Sequence, residues 1–159
     1  MDYYNQIAEG YEELHKEEQL KKLKIIKENF DFGESILDVG CGTGFCLDEI
    51  NVKRKVGIDP SEELVKIGKK KGRNVSIGRA EEIKFKDDEF DSVICLTAAH
   101  HFTDIQKGFS EMKRVGRRFA FSILKRAGNF KEIEKTINRI FIVEKRMEED
   151  KDIIFICHK

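Results

Sequence analysis

The sequence predicts an α/β fold: a doubly wound sheet of seven strands, mostly parallel, with helices on both faces. Three observations carry this. Short apolar, β-branched runs alternate along the chain with amphipathic stretches at helical spacing, the pattern of strand–helix–strand units. The run over residues 36–39, Ile-Leu-Asp-Val, leads into glycines at alternate positions, Gly40, Gly42 and Gly44. That suits a buried strand followed by a turn whose bare backbone a ligand can approach. The last two apolar runs, 140–147 and 152–157, are separated only by the charged residues 148–151. So short a link cannot hold a helical crossover, and the two form an antiparallel hairpin.

The elements follow in order. Residues 5–30 read as helix in two pieces broken near Gly10, with Leu20, Leu23, Ile26 and Phe30 on one apolar face. Tyr3, Tyr4 and Tyr11 gather at its front, where they either pack or face a ligand. After the first strand and the glycine turn, residues 45–50 can begin a helix, and free N–H groups there favour the anionic part of a ligand. The second strand, 55–58, ends at Asp59, because the residue before Pro60 is driven to extended geometry. Ser61 caps the next helix, Glu62 and Glu63 suit its first turn, and Lys69 to Lys71 with Gly72 suit its end. Leu64, Val65 and Gly68 face the sheet. The third strand is 74–77, and a polar loop over 78–89, anchored by Ile83 and Phe85, leads to the fourth, 91–96. Thr103 and Gln106 then form a capping box for a helix with Ile105, Phe109 and Met112 on its stripe, ended by Gly116. The fifth strand is 118–124. Asn129 and Glu132 start the last helix, whose stripe is Phe130, Ile133, Ile137 and Ile140.

The length of 159 residues suits one domain, 1–159, with 1–30 a helical cover and 34–159 the core. Thirty basic side chains balance thirty acidic ones, so no global field draws the protein to nucleic acid or membrane. The four cysteines, Cys41, Cys46, Cys95 and Cys157, form no C-x-x-C, which suits reduced core thiols and no metal site. No apolar run is long enough to span a bilayer and no signal pattern opens the chain, so a cytoplasmic protein is expected.

The glycine spacing, G-x-G-x-G with Asp38 two residues ahead, is not the dinucleotide fingerprint G-x-G-x-x-G. The stretch 36–44 resembles motif I of the class I methyltransferases that use S-adenosylmethionine, of the type 11 kind. The resemblance covers nearly the whole chain. It implies a Rossmann-like sheet in which the last strand is antiparallel and inserted between the fifth and sixth. It implies S-adenosylmethionine as cofactor and S-adenosylhomocysteine as product. Asp38, Gly40, Cys41, Gly42, Thr43 and Gly44 would then surround the methionine part, with Asp38 answering its ammonium.

Asp59, followed by Pro60, stands about twenty residues past the glycine turn, where a ribose-binding acid is expected. A carboxylate offers acceptors and no donor, which matches two ribose hydroxyls; the other reading of Asp59 is an acid at a helix start. By resemblance Ala80 and Glu81 line the adenine. Relatives carry an acid where Arg79 stands here, so backbone groups of Ala80 and Glu81, or the Glu81 carboxylate, take over its task. Leu96 and Thr97 pass close to the cofactor, and His101-Phe102 matches the His-Phe of many relatives. His101 or His100 could take a proton from an oxygen or carbon nucleophile; alternatively neither reacts. The Asn-Pro-Pro-Tyr of amino-group methylases is absent. Of the basic clusters, only Lys125 and Arg126 follow a strand and should lie on the site side, favouring an anionic acceptor. The clusters at 53–55, 69–73 and 117–118 belong to the opposite edge.

The resemblance thus implies methyl transfer to O, N or C of an unidentified acceptor, a small molecule or a group on tRNA or protein. An activator subunit or a homodimer mate would complete the site if the acceptor is large. One alternative is a non-catalytic S-adenosylmethionine-binding module that supports a partner protein. A nicotinamide-dependent oxidoreductase is disfavoured by the glycine spacing.

Overall fold

The structure, a computed structural model, describes the backbone of residues 2–159 and the side chains of residues 10–159. The elements in chain order are α1 (Asp2–Asn29), β1 (Ser35–Val39), β2 (Arg54–Asp59), α2 (Glu62–Lys70), β3 (Val75–Ile77), β4 (Ser92–Leu96), α3 (Ile105–Val115), β5 (Arg118–Leu124), α4 (Phe130–Ile140), β6 (Ile142–Glu148) and β7 (Asp152–His158). The seven strands form one sheet in the order β3-β2-β1-β4-β5-β7-β6. All run parallel except β7, which is antiparallel to both β5 and β6. The expected α/β sheet, with its last strand inserted, is therefore present.

Alternation along the strands explains the two faces. Leu37 and Val39 of β1, Val93 and Cys95 of β4, and Phe119 and Phe121 of β5 point toward α3 and α4, whose Phe109, Met112, Ile133 and Ile137 complete a buried cluster. Ile36, Ile94, Leu96 and Ala120 point the other way, against Leu23 and Ile26 of α1 and Val65 of α2. Covering both faces makes the central strands apolar throughout. Strand β6 is an edge and exposes most of its side chains, among them Glu144, Lys145 and Arg146, which discourage pairing with another sheet.

Three expectations are corrected. α1 runs without a break through Gly10, where an added Cβ would meet nothing within 4 Å. The helix-propensity cost of that glycine, ~1 kcal/mol, is outweighed by the packing of Leu23 and Ile26 and by side-chain bonds from Glu12 described below. Residues after the glycine turn form only a 3-10 turn, Phe45–Glu49, whose Phe45, Cys46 and Leu47 are buried. The cap of α3 is Asp104, which accepts from the Lys107 N–H at 3.0 Å, not Thr103.

The strand order reverses between β1 and β4, because the chain steps outward from β1 through β2 to β3 and then crosses to the other side. Such a reversal leaves a crevice beyond the carboxyl ends of the two strands. Among the described residues, no helix is long and apolar enough to cross a membrane.

Candidate cofactor and acceptor site

The crevice is built first by the glycine turn. Gly40, Gly42 and Gly44 have φ of 74°, 60° and 81°, in the left-handed region that side chains rarely adopt. Space also requires glycine: a Cβ on Gly40 would lie 2.6 Å from the Ala98 Cβ, and one on Gly42 2.4 Å from the Tyr11 hydroxyl oxygen. The N–H groups of Gly40 and Cys41 donate to the Ile58 carbonyl at 2.8 and 3.0 Å, and that of Gly44 to the Cys41 carbonyl at 2.9 Å. The Gly42 N–H donates to the Asp59 carboxylate at 2.8 Å. These four N–H groups are used within the fold and hold the turn in shape.

A cavity of about 840 Å³ opens beyond the turn. Its lining includes the predicted residues Asp38, Gly40, Cys41, Asp59, Pro60, Ala80, Glu81, Leu96, Thr97, His100 and His101. Gly42, Thr43 and Gly44 shape the turn from behind and do not line the cavity. Leu64, expected to face the sheet, lines the cavity instead, and Ile67 takes the buried place in α2.

Asp59 organises this lining. One carboxylate oxygen accepts from Gly42 and the other from the Ser61 N–H, each at 2.8 Å. A carboxylate has about four lone-pair positions, so two remain for a ligand. Ser61 in turn caps α2, accepting from the Leu64 N–H at 3.2 Å. Asp38 is buried beside it. Burial, with the charge of Asp59, pushes the Asp38 carboxyl up to about 8. Neither a hydrogen bond nor a cation among the described residues offsets this. Burial also pushes the Tyr11 phenol up to about 12, with Asp59, Cys41 and Asp38 adding to it. All four cysteines are buried free thiols, as expected.

Helix α1 adds Tyr11, His15 and Gln19 to the lining, which share one helical face at intervals of four. Sequence reasoning named Tyr11 and missed His15 and Gln19, although that spacing was the signal. The side chains of Tyr3 and Tyr4 lie outside the described residues. Glu12 fastens α1 to the back of the glycine turn: it accepts from the Thr43 hydroxyl at 2.9 Å, Arg73 at 2.7 Å and Lys71 at 2.8 Å. Arg73 also donates to the Thr43 carbonyl at 3.1 Å. Assigned to the far edge by its place before β3, Arg73 instead reaches the turn. Gly72, at φ 79°, bends the chain there, and the long side chain spans the remaining distance.

Around the expected adenine region, Ala80 is buried and Glu81 is engaged. One oxygen of Glu81 accepts from the Thr103 N–H at 2.8 Å, the Thr103 hydroxyl at 2.9 Å and the Asp104 N–H at 3.2 Å. Arg79 donates to the Thr103 hydroxyl oxygen at 2.7 Å. With Thr103 occupied in this way, the cap of α3 passes to Asp104.

Thr97 has φ 53°. A β-branched residue in that region carries strain of ~1–3 kcal/mol. Its position turns the chain from β4 into a 3-10 turn, Ala99–His101, beside the cavity. His100 is half-buried and its Nδ1 has no hydrogen-bond partner among the described residues. Burial, then the neighbouring His101, lowers its pKa and favours the neutral ring. His101 is exposed, with its ring centroid 4.0 Å from that of His100. Asn129 holds the N-cap position of α4, as expected, but its side-chain amide donates to the His100 carbonyl at 3.1 Å and makes no capping bond. Lys125 and Arg126 do not line the cavity. Lys125 pairs with Glu148 at 3.6 Å in the hairpin turn, and Arg126 is exposed, so the basis for an anionic acceptor is lost. Among the described residues, no cluster of ligands suited to a metal ion occurs.

Residues 37–122, more than half of the chain, match the family described as "Methyltransferase domain". The chain belongs to that family. It is 33% identical over 117 residues to an uncharacterized protein of Methanocaldococcus jannaschii, covering 72% of this chain and 46% of that protein. The chain therefore spans about half the length of that relative. The fold is similar to that of an S-adenosylmethionine-dependent methyltransferase from Aquifex aeolicus, with TM-score 0.71 and 22% identity over 84% of this chain and 87% of that one. It is also similar to a chain in the complex between the Haloferax volcanii Trm112 methyltransferase activator and a methyltransferase, with TM-score 0.77 and 13% identity over 98% and 96% of the two chains. S-adenosylmethionine is the cofactor of this family. The cavity fits it: a buried acidic wall with no counter-cation to Asp38 among the described residues suits a ligand that carries a sulfonium and an ammonium.

Proposed function

We propose that this domain transfers a methyl group from S-adenosylmethionine to O, N or C of a small acceptor held in the same cavity. The observation that carries the reading is the acidic wall. Asp38 and Asp59, 3% and 8% exposed, share one cavity, and the cost of ionising Asp38 there falls when a cation lies against it. In this reading Asp38 meets the ammonium, and the unused lone pairs of Asp59 meet the ribose hydroxyls. Pro60, Ala80 and the backbone near Glu81 bound the adenosine, while Cys41, Leu96 and Thr97 lie along the rest. Gly42, Thr43 and Gly44 act by shaping the turn.

When bound, S-adenosylmethionine supplies a methyl group already activated by the sulfonium. The chain's own part is to align the acceptor, to exclude water beneath α1 and to take up a proton. Alignment alone can supply roughly 7–11 kcal/mol. His100 is the better base of the pair, because its neutral ring is favoured and its Nδ1 is unpartnered among the described residues, whereas His101 is exposed. The acceptor end is formed by His15, Gln19, Thr97, His100 and His101, and Arg79 lines the same cavity.

The same cavity is lined by His100 and His101 as well as by the cofactor residues, which favours a catalyst over a module that binds cofactor only to support a partner. The reading includes a cytoplasmic location. It admits an activator subunit, by analogy with the similar Haloferax chain, or a second copy of this chain. The test is transfer of labelled methyl to a panel of small phenols, enols and amines, and to tRNA, by wild type, His100→Ala and His101→Ala. Transfer to a small acceptor that falls in His100→Ala supports the reading. Tight cofactor binding with no transfer to any class, even with co-purified partners present, would replace it with the binding module.

A further inference from the structure

Side chains from α1, β5, β7 and the end of β4 meet behind the acceptor end of the cavity. Lys22 and Asp152, 3% and 0% exposed at their side chains, stand 3.3 Å apart. The Thr97 hydroxyl donates to Asp152 at 2.7 Å and accepts from Lys22 at 2.9 Å. The Gln19 amide oxygen and the Ser122 hydroxyl each lie 3.3 Å from it. The Thr97 N–H donates to the Ser122 carbonyl at 2.8 Å.

Two features separate this cluster from ordinary core. A buried ion pair is on the whole no more stabilising than apolar side chains of similar volume, so packing does not account for it. It also holds a β-branched residue at φ 53°, at the point where the chain leaves β4 for the turn that carries His100. Among the described residues, the His100 Nδ1 and one Asp152 oxygen are the two buried side-chain atoms without a hydrogen bond. Both belong to this corner, and the charges of Asp152 and Lys22 act on His100 in opposite senses.

We infer that Lys22 and Asp152 are positioning residues for the acceptor end of the site. Through Thr97 they fix the turn that presents His100, and by bonding α1 to the same hydroxyl they set α1 and that turn together. Neither lines the cavity, so they act through Thr97 and not on a ligand. What the acceptor end does rests on the methyltransferase reading; the positioning itself does not.

The test uses labelled whole protein saturated with S-adenosylhomocysteine. K22M/D152L replaces the pair with apolar side chains of similar size, T97V removes the hydroxyl, and T97S keeps it. The readouts are the imidazole nitrogen shifts of His100 and exchange of the His101 and Phe102 amides, which donate to the Ala98 and Ala99 carbonyls at 3.0 and 3.1 Å. In K22M/D152L and in T97V, exchange at those two amides rises about tenfold or more and the His100 shifts move, while the amides of β5 keep their protection. In K22M/D152L, S-adenosylhomocysteine affinity stays within about threefold of wild type. T97S resembles wild type. Unchanged His100 shifts and unchanged exchange in both altered proteins would overturn the inference, as would an equal loss of protection throughout the sheet. Should K22M/D152L not fold, T97V against T97S carries the same comparison. Failure of wild type to bind S-adenosylhomocysteine would sink the methyltransferase reading alone, since the exchange comparison can be made on the free protein.

Discussion

Asp38→Asn separates what the fold needs from what the ligand needs. Burial and Asp59 raise the Asp38 carboxyl to about 8, whereas an aspartate in an unfolded chain titrates near ~4. Between those values the unfolded chain binds fewer protons than the fold, so stability falls as pH rises from about 4 to about 8 and is level above. At pH 7, ~3 units of that window have been crossed, and ~1.4 kcal/mol per unit gives a penalty of ~4 kcal/mol. Asparagine keeps the shape without titrating but buries an amide that lacks partners, at ~1–3 kcal/mol. The free variant is therefore more stable than wild type at pH 7, by ~1–3 kcal/mol, with the advantage gone near pH 4. Ligand binding runs the other way. An ammonium against Asp38 draws it into the ionised form, so binding below about pH 8 releases a proton, and affinity rises with pH by up to about tenfold per unit. Denaturant unfolding of both proteins across this range measures the first effect. Calorimetric titration in two buffers of different ionisation enthalpy measures the second. A variant less stable than wild type at every pH, or ligand binding without proton release near neutrality, would refute the reasoning.

Other consequences follow from the same geometry. Gly42→Ala combines φ 60° with a Cβ 2.4 Å from the Tyr11 hydroxyl oxygen; it costs ~1–3 kcal/mol in thermal unfolding, and adding Tyr11→Phe recovers part of the loss. Glu12 is raised by burial but brought down to about 2 by its bonds from Arg73, Lys71 and Thr43. Its contribution is present above about pH 4 and is lost as pH falls through about 2, so amides of α1 near Glu12 lose exchange protection in that window, and Glu12→Gln removes the pH dependence. Phe109→Ala, in a fully buried ring 5.1 Å from Phe121, costs ~3–5 kcal/mol by denaturant unfolding and leaves ligand affinity of the folded protein unchanged.

What was legible in the sequence was local. The glycine turn, the Asp59-Pro60-Ser61 corner and the strand runs are read from backbone constraints within a few residues, and the structure assembles them at one crevice. What was missed depends on contacts between distant segments. Gly10 weakens a helix in isolation, but tertiary bonds from Glu12 and burial of Leu23 carry α1 through it. The turn after Gly44 looked like a helix start, yet burial of Phe45 and Leu47 holds it to a single 3-10 turn. Arg73 was placed by its strand end, and a long side chain escapes that rule. Lys22, Thr97 and Asp152 meet from three remote parts of the chain, and no spacing in the sequence announces them. Their left-handed threonine was equally hidden, since threonine is an ordinary residue at the end of a strand.

The central claim, that Asp38 and Asp59 build an S-adenosylmethionine site, is tested most directly by calorimetric titration of S-adenosylhomocysteine into wild type and Asp59→Ala. The account predicts micromolar binding to wild type, about −8 kcal/mol, and a loss of about tenfold or more in the variant, whose glycine turn also loses the carboxylate that holds Gly42. A folded wild type that does not bind, or equal affinity in the two proteins, would contradict it.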